Sequence, residues 1–176
     1  MKRFYVFTLA VLMCSSCLAQ EDGSFGITVG GDVLFGLLAD SNQHGFEFGV
    51  VSKVPVADKG LIHTMVTSLT YLRLPWNDEI EDPERSGHVF STLVGFEVGD
   101  GEGLHVFGGP TLNFGLFEQG YVGADIGAGY GMRLGWIDRI ADVSVRYSAF
   151  NAANKIMDWE DTDALDLVRF NLTLTI

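Results

Sequence analysis

From Val122 to Trp136 every second residue is apolar: Val122, Ala124, Ile126, Ala128, Tyr130, Met132, Leu134 and Trp136. Between them stand Tyr121, Gly123, Asp125, Gly127, Gly129, Gly131, Arg133 and Gly135. A side-chain period of two puts these sets on opposite faces of a β-strand. After a short turn the alternation resumes, with Ala141, Val143, Val145, Tyr147 and Ala149 against Asp142, Ser144, Arg146 and Ser148. It returns in the final segment, where Val168, Phe170, Leu172, Leu174 and Ile176 oppose Leu167, Arg169, Asn171, Thr173 and Thr175. The rest of the chain is organised around this hairpin, Tyr121 to Ala149, and the strand that follows it.

Five earlier segments repeat the pattern. Strand 1, near Phe25 to Leu38, is expected to turn Phe25, Ile27, Val29, Val33, Phe35 and Leu37 outward and Thr28, Gly30, Asp32 and Gly36 inward. Strand 2, near Phe46 to Val56, presents Phe46, Phe48 and Val50 outward, with Glu47 and Lys53 inward. Strand 3, Ile62 to Leu74, is partly apolar on both faces. The register chosen turns His63 and Arg73 inward, because an arginine facing lipid is costly. Strand 4 shows Phe90, Val94, Phe96 and Val98 on one face and Ser91, Gly95 and Glu97 on the other. Strand 5 shows Leu104, Val106, Leu112, Phe114 and Leu116 against His105, Thr111 and Asn113. Eight strands of roughly ten residues match the length that crosses a bilayer at a tilt. An even count lets a sheet close antiparallel with both termini on one side.

Alternation alone does not say which face meets water, and a soluble barrel would bury the apolar set. Composition distinguishes the two. The polar face of the last strands is rich in Gly and Ser, with isolated Arg and Asp. Glycine weakens a strand and gains nothing from facing water. In a narrow barrel the same small residues leave room for a few long charged side chains in the lumen. The bulky Tyr130, Met132 and Trp136 suit lipid contact. The expected fold is all-β: a closed, eight-stranded, antiparallel up-and-down transmembrane β-barrel over residues 20–176.

Residues 1–19 have the pattern of a secretory signal peptide. Lys2 and Arg3 precede the apolar run Phe4 to Met13, and Cys17-Leu18-Ala19 offers a small-residue cleavage site before Gln20. Acylation of Cys17 as a lipoprotein is the rival, set against Cys14 standing where a branched apolar residue is usual. Both cysteines lie in this segment, so the mature chain is expected to form no disulfide and no thiolate metal site. Without Lys2 and Arg3, the 11 basic residues fall to 9 against 23 acidic ones, a net charge of −14. That balance argues against nucleic acid as a partner. The 157 residues remaining of 176 suit one domain of eight strands and are too few for a large porin.

Loop lengths give an independent check. With the N-terminus periplasmic, the connections Ala57 to Gly60, Gly99 to Gly103 and Ile137 to Arg139 are the inner ones, and all are short. The two longest, Pro75 to Gly87 and Asn151 to Ala164, fall outside, as outer-membrane barrels arrange them. Trp76, Phe117 and Tyr121 at one set of strand ends, and Phe25 and Trp136 at the other, would form interfacial girdles. In pattern the chain resembles the small eight-stranded outer-membrane barrels of Gram-negative bacteria, the outer membrane protein X and outer membrane protein A barrel type. The resemblance covers the whole mature chain and lies in no sharp motif. It implies an outer-membrane location, contact with lipid and lipopolysaccharide, and delivery by the insertion machinery. Family members usually end on an aromatic residue, whereas this chain places Ile176 there.

Two groups of residues are candidates for chemistry. Inward positions supply a lumen charge network of Asp32, Glu47, Lys53, Arg73, Glu97, His105, Asp125, Arg133, Asp142, Arg146 and Arg169. Folding the hairpins on their turn centres sets Glu97 opposite His105 and Arg133 opposite Asp142, with Asp32 and Arg169 on adjacent strands. Mutual neutralisation in a plugged interior is the plain reading, because unpaired buried charge is expensive. A proton or ion path is the sharper alternative. The second group is the acidic loops, Asp78, Glu79, Glu81, Asp82 and Glu84, then Asp158, Glu160, Asp161 and Asp163. They are solvated loops that could recruit divalent cations, yet they lack the glycine-centred spacing of a dedicated calcium loop.

No cofactor and no resident metal is expected, and His44 and His63 lack companions for a metal site. An enzymatic reading rests on Glu84, Ser86 and His88 near the top of strand 4, in the manner of lipid A deacylases, but their spacing departs from that pattern. The expectation is a non-enzymatic outer-membrane barrel with a surface-binding or envelope-integrity role and an unidentified extracellular ligand. The main alternative is a soluble secreted barrel binding an apolar ligand, as lipocalins do.

Overall fold

The computed structural model describes residues 23–35, 44–56, 62, 64–73, 88–99, 102–114, 120–135, 139–150, 152 and 166–175. They form eight strands: β1 (Ser24–Phe35), β2 (His44–Pro55), β3 (Thr64–Arg73), β4 (His88–Val98), β5 (Gly103–Phe114), β6 (Gly120–Leu134), β7 (Arg139–Ala149) and β8 (Asp166–Thr175). Each strand pairs antiparallel with its neighbours in sequence, and β1 pairs with β8, so the sheet is a closed barrel. Residues 1–19, the acidic loops, His63, Glu84, Ser86, Trp76, Phe117 and Trp136 lie outside the described residues.

Directly opposed residues in an antiparallel sheet share a face. One continuous register therefore sorts the barrel into a wall and a lumen. Ile27 lies across from Val50 on one side and Leu174 on the other. Val145 lies across from Ala128 and Phe170. This set faces outward: Ile126 is 60% exposed, Phe48 52% and Leu172 49%. The opposite set faces the axis and is buried, Asp32, Glu47, His105, Arg146 and Arg169 included. The bulky apolar side chains are on the outside.

β1 begins and β8 ends at the same rim, here the terminal end. There the connecting residues are 56–63, 99–102 and 135–138, while the opposite, loop end carries 36–43, 74–87, 115–119 and 150–165. The short β4–β5 connection is flanked by two glycines in the left-handed region, Gly99 (φ 129°) and Gly103 (φ 87°). Glycine meets that backbone demand without the steric cost of a side chain.

Strand 3 differs from expectation. Its register pairs Glu47 with Leu72 and Phe46 with Arg73. Glu47 faces the axis, so Leu72 does too, and Arg73 is exposed on the outer wall. Arg73 therefore leaves the lumen set. As the last residue of β3 it sits at the barrel edge. Tyr121 also changes place. It is buried on the lumen face, so it contributes nothing to an outer aromatic girdle.

Candidate functional site

Among the described residues two ion clusters lie in the lumen. The first lies towards the loop end and draws on five strands around the β1–β8 closure. Arg169 on β8 is fully buried. Its Nε donates to Glu47 Oε2 at 2.8 Å, and its Nη1 to Asp125 Oδ2 and Ser148 Oγ, both at 3.4 Å. Asp32, its register partner on β1, has Oδ1 3.7 Å from Nε. Arg146 lies directly across from Arg169 on β7, a like-charge pairing that would repel on its own. The carboxylates offset it: Arg146 Nη1 donates to Asp125 Oδ2 at 3.3 Å. The Arg146 guanidinium also stands 5.3 Å from the centre of the Phe107 ring, a cation–π distance. Asn171 completes the group by donating to Glu47 Oε1.

The second cluster lies towards the terminal end and spans the lumen from β2 to β7. Lys53 Nζ is 2.7 Å from Glu97 Oε2 and 3.7 Å from Asp142 Oδ2. His105 Nε2 is 2.9 Å from Asp142 Oδ2 and 3.9 Å from Glu97 Oε2. Between the clusters, Val51, Val66, Leu93 and Phe107 form a buried apolar group. On β2 the order is plain, with Val51 standing between Glu47 and Lys53.

Large inward side chains need small residues facing them. A Cβ on Gly127 would lie 2.5 Å from Phe107 Cζ, and one on Gly129 would lie 2.6 Å from His105 Nε2. The glycines of β6 are the hollows that admit the aromatic rings of β5, which is why this lumen face looks sparse in sequence.

Nine of the eleven residues expected in the lumen network are there: Asp32, Glu47, Lys53, Glu97, His105, Asp125, Asp142, Arg146 and Arg169. Arg73 is on the outer wall. Arg133 is the second correction. The β6–β7 register sets Asp142 across from Gly131 and Arg133 across from Ile140. Arg133 reaches the exposed terminal rim, where its Nε donates to Glu102 Oε1 at 2.9 Å. That bond holds the Glu102 carboxyl below its ordinary value. Glu97 lies across from Phe107 rather than His105, although the Glu97 and His105 side chains still meet diagonally. Sequence reasoning missed Glu102, Ser148 and Asn171. Of these, only Asn171 and Ser148 carried a signal, their lumen parity beside Arg169 and Arg146.

On the outer wall, the charged residues among those described all stand at strand ends: Arg73 and Asp166 at the loop end, Arg139 at the terminal end. His88, the first residue of β4, lies across from Arg73 and is hydrogen-bonded through Nδ1 to the Tyr71 hydroxyl. Its expected companions Glu84 and Ser86 lie outside the described residues. Among the described residues no group of three or more His, Cys, Asp or Glu could hold a metal ion. None of their helices is long and apolar enough to cross a membrane, which leaves crossing by strands open. No protein-family model and no curated protein matches the chain.

Proposed function

We propose that this protein is a non-enzymatic outer-membrane β-barrel, exported by the segment 1–19 and seated with its apolar wall in lipid. One observation carries this reading. The outward face has no charged residue between Arg139 at one rim and Arg73 and Asp166 at the other, among the described residues. A water-facing wall gains from charge along its whole height. A lipid-facing wall excludes it except at the interfaces.

The lumen supports the same reading. Its ion clusters and apolar group occupy the axis, which suits a rigid plug rather than an open pore or a cavity for an apolar ligand. On such a scaffold function falls to the surface, so the reading assigns the protein a contact or envelope-integrity role exercised through its loops. The test is migration on gels after extraction from the outer-membrane fraction. Unboiled protein is expected to run as a compact species that shifts on boiling. Recovery in the soluble periplasmic fraction, with no such shift, would defeat the proposal.

A further inference from the structure

The outer wall of β2, β3 and β4 at the loop end combines features found nowhere else on the described surface. Phe48, Tyr71 and Phe90 stand side by side on three neighbouring strands, with ring centroids 5.0 Å and 5.4 Å apart. Immediately above them, at the strand ends, Arg73 and His88 lie directly across from one another. The His88 ring lies 5.7 Å from that of Tyr71 and is tied to it by the hydroxyl–Nδ1 hydrogen bond. In the tautomer in which the phenol donates to Nδ1, the ring hydrogen sits on Nε2, so the imidazole is also a donor. Arg73 is exposed and brings a planar fork of N–H groups suited to a phosphate.

We propose that Arg73 and His88 bind the phosphate of an anionic lipid headgroup whose acyl chains lie on the Phe48–Tyr71–Phe90 platform. The inference rests on the membrane reading and adds a specific lipid contact to it. Charge and position select the occupant. The chain is strongly acidic overall, at −12 for all 176 residues, so the Arg73 cation on its wall, with the His88 ring directly across from it, is an exception that favours an anion. The platform below is exposed and apolar, with Phe48 at 52% and Phe90 at 44%. A headgroup that ends in hydrocarbon satisfies both halves at once, whereas a soluble anion satisfies only the upper half.

The test refolds wild type, Arg73→Gln, His88→Gln, the double variant and Arg73→Lys in an uncharged sugar detergent. Retained phosphatidylglycerol is then read by native mass spectrometry. Wild type is expected to hold the lipid. The double variant should bind at least about tenfold more weakly, the scale set by losing hydrogen bonds to a charged group. Arg73→Lys should recover part of the difference, because lysine keeps the charge and loses the fork. Equal retention by the double variant, with heat-modifiable migration intact, overturns the lipid site and leaves the barrel in its membrane. Displacement by inorganic phosphate at concentrations similar to those of the lipid overturns the platform's part. Failure of wild type to show heat-modifiable migration overturns both readings.

Discussion

Among the described residues, Arg169 joins more lumen side chains than any other. It reaches Glu47, Asp125, Ser148 and Asp32 from one buried guanidinium. Arg169→Met takes the cation from buried Glu47 and Asp32, while Asp125 keeps Arg146, and it is expected to cost about 3–5 kcal/mol, the usual penalty for orphaning a buried charge. Urea unfolding of the refolded barrel measures it. Arg133 is expected to behave differently, because its pair with Glu102 is exposed on both sides. Arg133→Met should leave the unfolding midpoint where it is while returning the Glu102 carboxyl towards its ordinary value of 4.5. The sign follows from the depressed folded value. The bridge contributes fully above that ordinary value and is lost as pH falls through the lower one, so any difference between wild type and variant vanishes in acid. Side-chain carboxyl titration by NMR reads the change directly. A drop in midpoint at neutral pH as large as that for Arg169→Met would contradict the rim placement.

At the scale of the strand, β6, β7 and β8 were legible because their two faces differ so much, glycine, serine and charge against large apolar groups. β3 was not. Val66 and Leu72 point inward and Met65, Leu69 and Tyr71 outward, so both faces are apolar and parity carries no information. Only the pairing of Glu47 with Leu72 decides it, and pairing is a property of two strands. The lumen residues were legible by parity, but their partners were not. Taking turn centres two residues' worth of register away moved Asp142 from Gly131 to Arg133, and Glu97 from Phe107 to His105, without changing any face. Glycine at position 129 tests the packing between strands. Gly129→Val pushes against His105 and is expected to destabilise by about 1–3 kcal/mol, as overpacking does. The unfolding midpoint reports it, and an equal midpoint would show that His105 does not occupy that hollow.

For the whole molecule, the solvent of the outer wall decides what a charge there costs. Val145, 47% exposed between Ala128 and Phe170, lies far from either rim. Val145→Arg is expected to cost about 2–4 kcal/mol in a bilayer, the range for arginine near the midplane. In water the same change on an exposed wall would cost little, so refolding titrations into vesicles separate the two environments. The β1–β8 seam has a further consequence for how such a ring is made. The ends that meet there are the first strand and the last, and Arg169 is bonded to Glu47 from 122 positions away. Until β8 arrives, the unfinished sheet carries two raw margins, each able to recruit a stranger's strand. Fastening that clasp is what turns a sticky ribbon into a self-contained hoop. A chain shortened by β8 should therefore accumulate as aggregates, even though seven of its strands are unchanged.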